Sequence, residues 1–170
     1  MPKIDREASE FSHVDAAGRA RMVDVSAKEM TARIATARGE LICRRETLAK
    51  VRAGTAPKGA VISTAEIAGI MAAKRTAELI PLCHPLALTK VAVRIGIDDA
   101  IPGFHIKSEV RTNAATGVEM EALTAVSVAC LTLFDMLKGL DRTMMIGGIE
   151  VTSKSGGSSA NWVKKGTNPA

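Results

Sequence analysis

The chain has 170 residues, 46% hydrophobic and 24% charged, the length and mixture of one ordinary globular domain. With three Phe, one Trp and no Tyr, its core must be built from aliphatics, Ala and eight Met, which argues against a platform that stacks single-stranded bases on aromatic rings. The net charge of +5 is spread thinly and forms no basic arm, so it suits an anionic small molecule at least as well as a polyanion.

Residues 1–12 mix acids and bases and are expected as a flexible N-terminal arm. Lys3, Asp5, Arg6, Glu7 and Glu10 interrupt any apolar leader, and no run approaches about 18 uninterrupted apolar residues. A cytoplasmic chain with no membrane partner is expected. Residues 20–25 predict a short strand. The alternation from Thr31 to Cys43 predicts another, and Glu46 to Arg52 a short helix ending at Gly54. Ser63, three residues before Glu66, has the spacing of a capping box ahead of Ile67, Ile70 and Met71. That helix should run from about 64 to 80, where Pro81 stops it.

Pro81 and Pro85 bracket Leu82, Cys83 and His84 in a stiff loop. Strands are predicted near 87–97 and 104–112 around a turn at 98–103, then a helix over 117–139 closed by Gly139. A last strand should occupy 143–153, and 158–170 should be a flexible tail. Residues 13–157 thus form one domain with the βαββαβ order of an α+β ferredoxin-like fold, an antiparallel sheet with helices on one face. Between Ala122 and Leu137 the long helix carries only Thr124, Ser127, Thr132 and Asp135 as polar side chains, distributed around the cylinder. One sheet covers one face of such a helix, so a second subunit is expected on the other.

Asp135 is the first chemical candidate, a lone carboxylate among Leu133, Phe134, Met136 and Leu137 with Lys138 three residues on. A carboxylate beside an ammonium serves acid–base chemistry, and equally an ordinary helical ion pair at a subunit edge; spacing alone leaves both open. His84, fixed between prolines, is suited to a phosphate or proton-transfer contact or to a structural hydrogen bond. Cys83 has no base at a recognised spacing and reads as a bystander, and Cys43 and Cys130 read as small core residues. Lys58 is presented outward by its Pro/Gly loop, Lys74 ends a helix where it complements the dipole, and Lys154 precedes Ser155-Gly156-Gly157, whose amides suit a phosphate; each alone reads equally as a solvated charge. Glu119 and Glu121 point to different sides of their helix and make a poor carboxylate pair. There is no GxxxxGK[ST] and no GxGxxG, and neither a metal nor a cofactor is expected.

The strings MVDVSAK (22–28), IAGIMAAKRT (67–76), LIPLCHPL (79–86), GVEMEALTAVSVA (117–129) and FDMLK (134–138) resemble the molybdenum cofactor biosynthesis protein C family, the cyclic pyranopterin monophosphate synthases. The likeness spans roughly residues 12–157. It implies a ferredoxin-like subunit, a hexamer assembled as a trimer of dimers, and active sites at subunit interfaces. It implies a lyase acting on a GTP-derived cyclic nucleotide triphosphate. Asp135, Lys58 and Lys138 fall at the family's catalytic positions. Leu82, Cys83 and His84, with Met120 and Glu121, fall at its substrate-binding segments, and Arg33, Lys74 and Lys154 at basic positions expected to meet phosphates. Two departures stand out: Ala60 follows Gly59 where the family usually has Asp, and Ser158 replaces a tail lysine. On fold alone, a non-catalytic nucleotide-binding or regulatory module is the alternative.

Overall fold

β1 (Thr31–Ile42) turns Ala35, Ala37, Gly39 and Leu41 inward, and this strip of small residues decides how the helices lie. A Cβ built on Gly39 would stand only 2.6 Å from Val126 Cγ1. The long helix therefore rests directly on the central strand. The structure is a computed structural model, and it describes residues 17–157 and 161–165; the expected N-terminal arm at 1–12 and Ser158 lie outside these.

After β1 come α1 (Arg45–Arg52), α2 (Val61–Ala73), the single turn α3 (Thr76–Leu79), β2 (Leu88–Asp98), β3 (Gly103–Ala114), α4 (Glu119–Leu137), β4 (Met145–Ser155) and β5 (Trp162–Val163). The sheet order is β2-β3-β1-β4-β5, every pairing antiparallel, with the helices packed on one face. The first four strands have the order of a ferredoxin-like sheet, so the expected α+β class holds. β5, within the stretch expected as a tail, pairs with β4 through Lys154 and Ser153.

α2 and α4 form the helical layer. A Cβ on Gly69 would lie 2.7 Å from the carbonyl oxygen of Ala125 and 3.3 Å from Ala129 Cβ, so the two helices meet through small residues. Ala122, Ala125, Val126, Ala129, Cys130 and Leu133 are fully buried beneath them, with Phe104 the aromatic at the centre of the core. By length and hydropathy α4 would pass for a membrane-crossing helix, but half of that stretch is buried inside this fold.

Three expectations are corrected. Residues 20–25 form no strand beyond a bridge at Ala20, because Asp24 Oδ1 accepts the Ser26 N–H (2.9 Å) and hydroxyl (2.6 Å) and the chain turns. The Ser63/Glu66 pair is no capping box: Ser63 Oγ donates to the Ala60 carbonyl, and Glu66 Oε1 accepts the Ile95 N–H at 3.0 Å, tying α2 to β2. The helix starts three residues earlier, at Val61, with Ala60 in the N-cap position and no side-chain cap. It also stops earlier. Arg75 and Glu78 donate to carbonyls three residues back, and Thr76 Oγ1 donates to the Ala73 carbonyl (2.9 Å), so the chain breaks into α2 and α3.

Candidate active site

The candidate residues divide between the two ends of α4. At the C-terminal end, Lys58 Nζ donates to Asp135 Oδ2 (2.7 Å) and to the Asp135 backbone carbonyl (2.9 Å), while Lys138 Nζ reaches Oδ1 (2.7 Å). One carboxylate grips two ammonium groups. Lys58 comes from the loop between α1 and α2, whereas Asp135 and Lys138 lie one turn apart at the end of α4. A negative charge at a helix C-terminus is unfavourable by itself, and the two lysines offset it. They hold Asp135 down to a pKa of about 2, Lys138 contributing most. The sequence suggests a buried carboxylate; in the single chain the Asp135 side chain is 56% exposed. Its apolar neighbours Leu133, Met136 and Leu137 point inward, and it does not. A carboxyl of this pKa is ionised at neutral pH and is a weak base. It fixes both lysines at its two oxygens.

At the N-terminal end, Glu121 is buried and its Oε1 accepts the Cys83 thiol at 3.6 Å. Its Oε2 has no hydrogen-bond partner among the described residues, and burial raises its pKa. Burial and the neighbouring carboxylate push Cys83 up to about 11, which favours the thiol over the thiolate. Cys43 and Cys130 are buried in the core, as expected. Next to Cys83, His84 Nε2 contacts the carbonyl of Val23 at 2.8 Å and fastens the 22–25 segment to the proline loop. Leu82 lies half-buried in that loop, and Met120 is exposed beside Glu121 on the first turn of α4.

The basic candidates also gather here. Lys154 pairs with Glu119 (3.0 Å), on a different side of α4 from Glu121, as the two-residue spacing requires. Glu119 itself has no assigned role in the sequence reading, because its partner lies 35 residues away on another element. Arg33 donates through Nε, Nη2 and Nη1 to the carbonyls of Ala114 (3.2 Å), Ala115 (3.1 Å) and Gly156 (3.3 Å). Three of its five N–H bonds are thus spent on the backbone, and the other two have no partner among the described residues. Since Lys58 precedes α2 and touches the end of α4, while Gly69 packs on Ala125, α2 runs antiparallel to α4. Lys74, at the end of α2, therefore lies toward the Glu121 end. Among the described residues no group of three His, Cys, Asp or Glu side chains is gathered to hold a metal ion.

Fourteen residues separate Glu121 from Asp135, roughly 21 Å along the helix axis at 1.5 Å per residue. The helical layer between the two ends is apolar outward as well as inward. Ile67 and Met71 of α2 and Leu131 of α4 are each about half exposed or more.

These features define a ferredoxin-like α+β protein with a lysine–carboxylate cluster at one end of its main helix and a buried acid with basic side chains at the other. The MoaC family model matches residues 22–157, and the chain belongs to that family. It is 59% identical over 152 residues to a cyclic pyranopterin monophosphate synthase of Methylobacterium sp. (strain 4-46), covering 89% of this chain and 95% of the relative. A synthase of the same name from Roseiflexus sp. (strain RS-1) is 59% identical over 155 residues, 91% and 98% of the two chains. One from Brucella ovis is 55% identical over 155 residues, 91% and 94%.

Proposed function

We propose that this chain is a cyclic pyranopterin monophosphate synthase, a cytoplasmic lyase. It converts 3′,8-cyclo-7,8-dihydroguanosine 5′-triphosphate into cyclic pyranopterin monophosphate and pyrophosphate. The observation that carries this reading is the Asp135 carboxylate holding Lys58 and Lys138 on its two oxygens, in a chain 55–59% identical to enzymes of that name. The purine ring is opened and rebuilt as a pterin, a ribose-derived hydroxyl attacks the α-phosphorus, and pyrophosphate leaves. Protons must move at several centres, which suits two ammonium groups fixed by one ionised carboxylate. The accumulating charge on the leaving pyrophosphate suits cations.

Arg33, Lys74 and Lys154 supply those cations, and Arg33 has two N–H bonds to spare. Glu121, whose Oε2 lacks a partner, accepts an N–H of the bound ring system, with Leu82, Cys83, His84 and Met120 around it. A substrate held at the Glu121 end is too far from Lys58 of the same chain to be worked on by it. Two copies packed through their outward apolar α2/α4 faces about a two-fold axis bring the Asp135 end of each against the Glu121 end of the other. The active unit is therefore a homodimer, and the hexamer a trimer of such dimers.

Pyrophosphate release on adding the cyclised nucleotide, with plain GTP as control, tests the activity. Stoichiometric release from the cyclised nucleotide alone is expected. Tight binding without release would identify a binding module instead.

A further inference from the structure

Asp141 is fully buried, yet the mechanism above does not use it and the sequence does not single it out. Its Oδ2 accepts the backbone N–H of Arg44 at 2.8 Å. Its Oδ1 accepts the N–H (2.9 Å) and the hydroxyl (2.7 Å) of Thr143. Arg44 Nε stands 3.5 Å from Oδ1. Every partner but the Thr143 and Arg44 side chains is backbone, so the carboxylate joins two stretches of main chain 97 positions apart.

Those two stretches carry the lysine–carboxylate cluster. Asp141 closes the turn that begins with Lys138, through its own N–H to the Leu137 carbonyl (3.1 Å). Arg44 is the N-cap residue of α1, which has no side-chain cap of its own and buries only Thr47 and Leu48. α1 leads into the loop that presents Lys58. A helix so lightly anchored needs its start fixed if the loop at its end is to reach Asp135.

We propose that Asp141 is a positioning residue for the Lys58–Asp135–Lys138 cluster, its buried carboxylate pinning the start of α1 to the turn after Lys138. The catalytic side of this inference rests on the synthase reading; the geometric side does not. Lys138 and Lys58 hold the Asp135 carboxyl well below the usual carboxylate range, to about 2. If Asp141 positions Lys58, loss of the link weakens the grip and Asp135 titrates higher.

The test uses the full-length chain with three variants: Asp141→Asn, Arg44→Pro, which deletes the accepted N–H at a residue whose φ of −70° suits proline, and Arg44→Ala, which keeps that N–H. The Asp135 carboxyl signal is titrated by NMR to pH 3, and turnover and KM are measured on the cyclised nucleotide. In Asp141→Asn and Arg44→Pro the Asp135 pKa should rise by about one unit. Turnover should fall roughly tenfold with KM within about twofold, because the transition state rather than ground-state binding loses a proton donor. Arg44→Ala should match the wild type in both. Lowered melting temperature with an unmoved Asp135 titration in the two link-breaking variants would overturn the proposal, since a merely structural role predicts that. A raised Asp135 pKa with normal turnover would leave the positioning intact and overturn the catalytic reading of the cluster instead. Should Asp141→Asn fail to fold, Arg44→Pro decides alone.

Discussion

The two ends of α4 handle a carboxylate in opposite ways. Asp135 stands in solvent between two ammonium groups and is driven to low pKa. Glu121, on the first turn of the same helix, is buried against a thiol, has an oxygen without a partner among the described residues and is driven upward. An anion that is satisfied at rest can aim its partners without moving. A buried acid with an unpartnered oxygen carries a desolvation cost that a hydrogen-bond donor would offset. The comparison teaches that one helix holds two carboxylates in opposite electrostatic states, and the proposed function assigns proton supply to one end and recognition to the other.

The division is broken most severely by Asp135→Asn. This variant should keep the fold, because its side chain is exposed, and lose about 10²–10⁴-fold in single-turnover rate at saturating substrate. Near-normal turnover would remove Asp135 from the chemistry. Next come Lys58→Ala and Lys138→Ala, expected to cut saturated turnover by roughly a hundredfold, while Arg33→Ala and Lys154→Ala mainly raise KM. Loss of affinity alone in all four would erase the distinction between the ends.

Mixing sharpens it further. Asp135→Asn and Glu121→Ala, each expected to be strongly impaired alone at limiting substrate, should recover about a quarter of the wild-type sites when unfolded and refolded together, because a mixed two-fold pair contains one intact site. No recovery would mean that each chain works within itself.

The opposite pKa shifts predict opposite pH dependences of stability. Asp135 titrates lower in the fold (about 2) than its ordinary 3.8, so its contribution is present above pH 3.8 and is lost as pH falls toward 2. The melting-temperature deficit of Asp135→Asn should therefore shrink over that range. Glu121 titrates above its ordinary 4.5, so the fold favours its protonated form and ionisation destabilises as pH rises through the raised value. Glu121→Gln should gain on the wild type as pH increases above 4.5. Parallel curves for the two variants would contradict the contrast. The smallest effect is expected at Ala60, the uncapped start of α2, where Ala60→Asp should add about 1 kcal/mol in denaturant melts by supplying a side-chain acceptor.

Much of this molecule was legible from local pattern. Alternation in β1 and around the 98–103 turn, the prolines at 81 and 85, and the apolar length of α4 depend on neighbours close in sequence, and each element lies within a few residues of its expected bounds. Local pattern misled where side chains found distant or unexpected partners. Glu66 spends its oxygen on β2 rather than on its own helix start, and Asp24 turns a stretch that reads as strand. The Asp135–Lys138 pair follows from a three-residue spacing. Lys58 is 77 positions from Asp135, and without the family resemblance nothing in the spacing joins them.

The sequence by itself determined the strand and helix order from β1 to β4, the aliphatic core, and the family with its candidate residues, because these rest on periodicity, composition and motif. Only the tertiary structure decided which charges pair, which carboxylate is buried and which exposed, and that the candidates fall into two groups about 21 Å apart on one helix. The reason is physical: the energy of a charge depends on what solvates it, and that is set by chain segments brought together by folding, at separations the sequence does not encode locally. Asp141 and Arg44, 97 positions apart and joined by one buried carboxylate, show the same rule beside the lysine–carboxylate cluster.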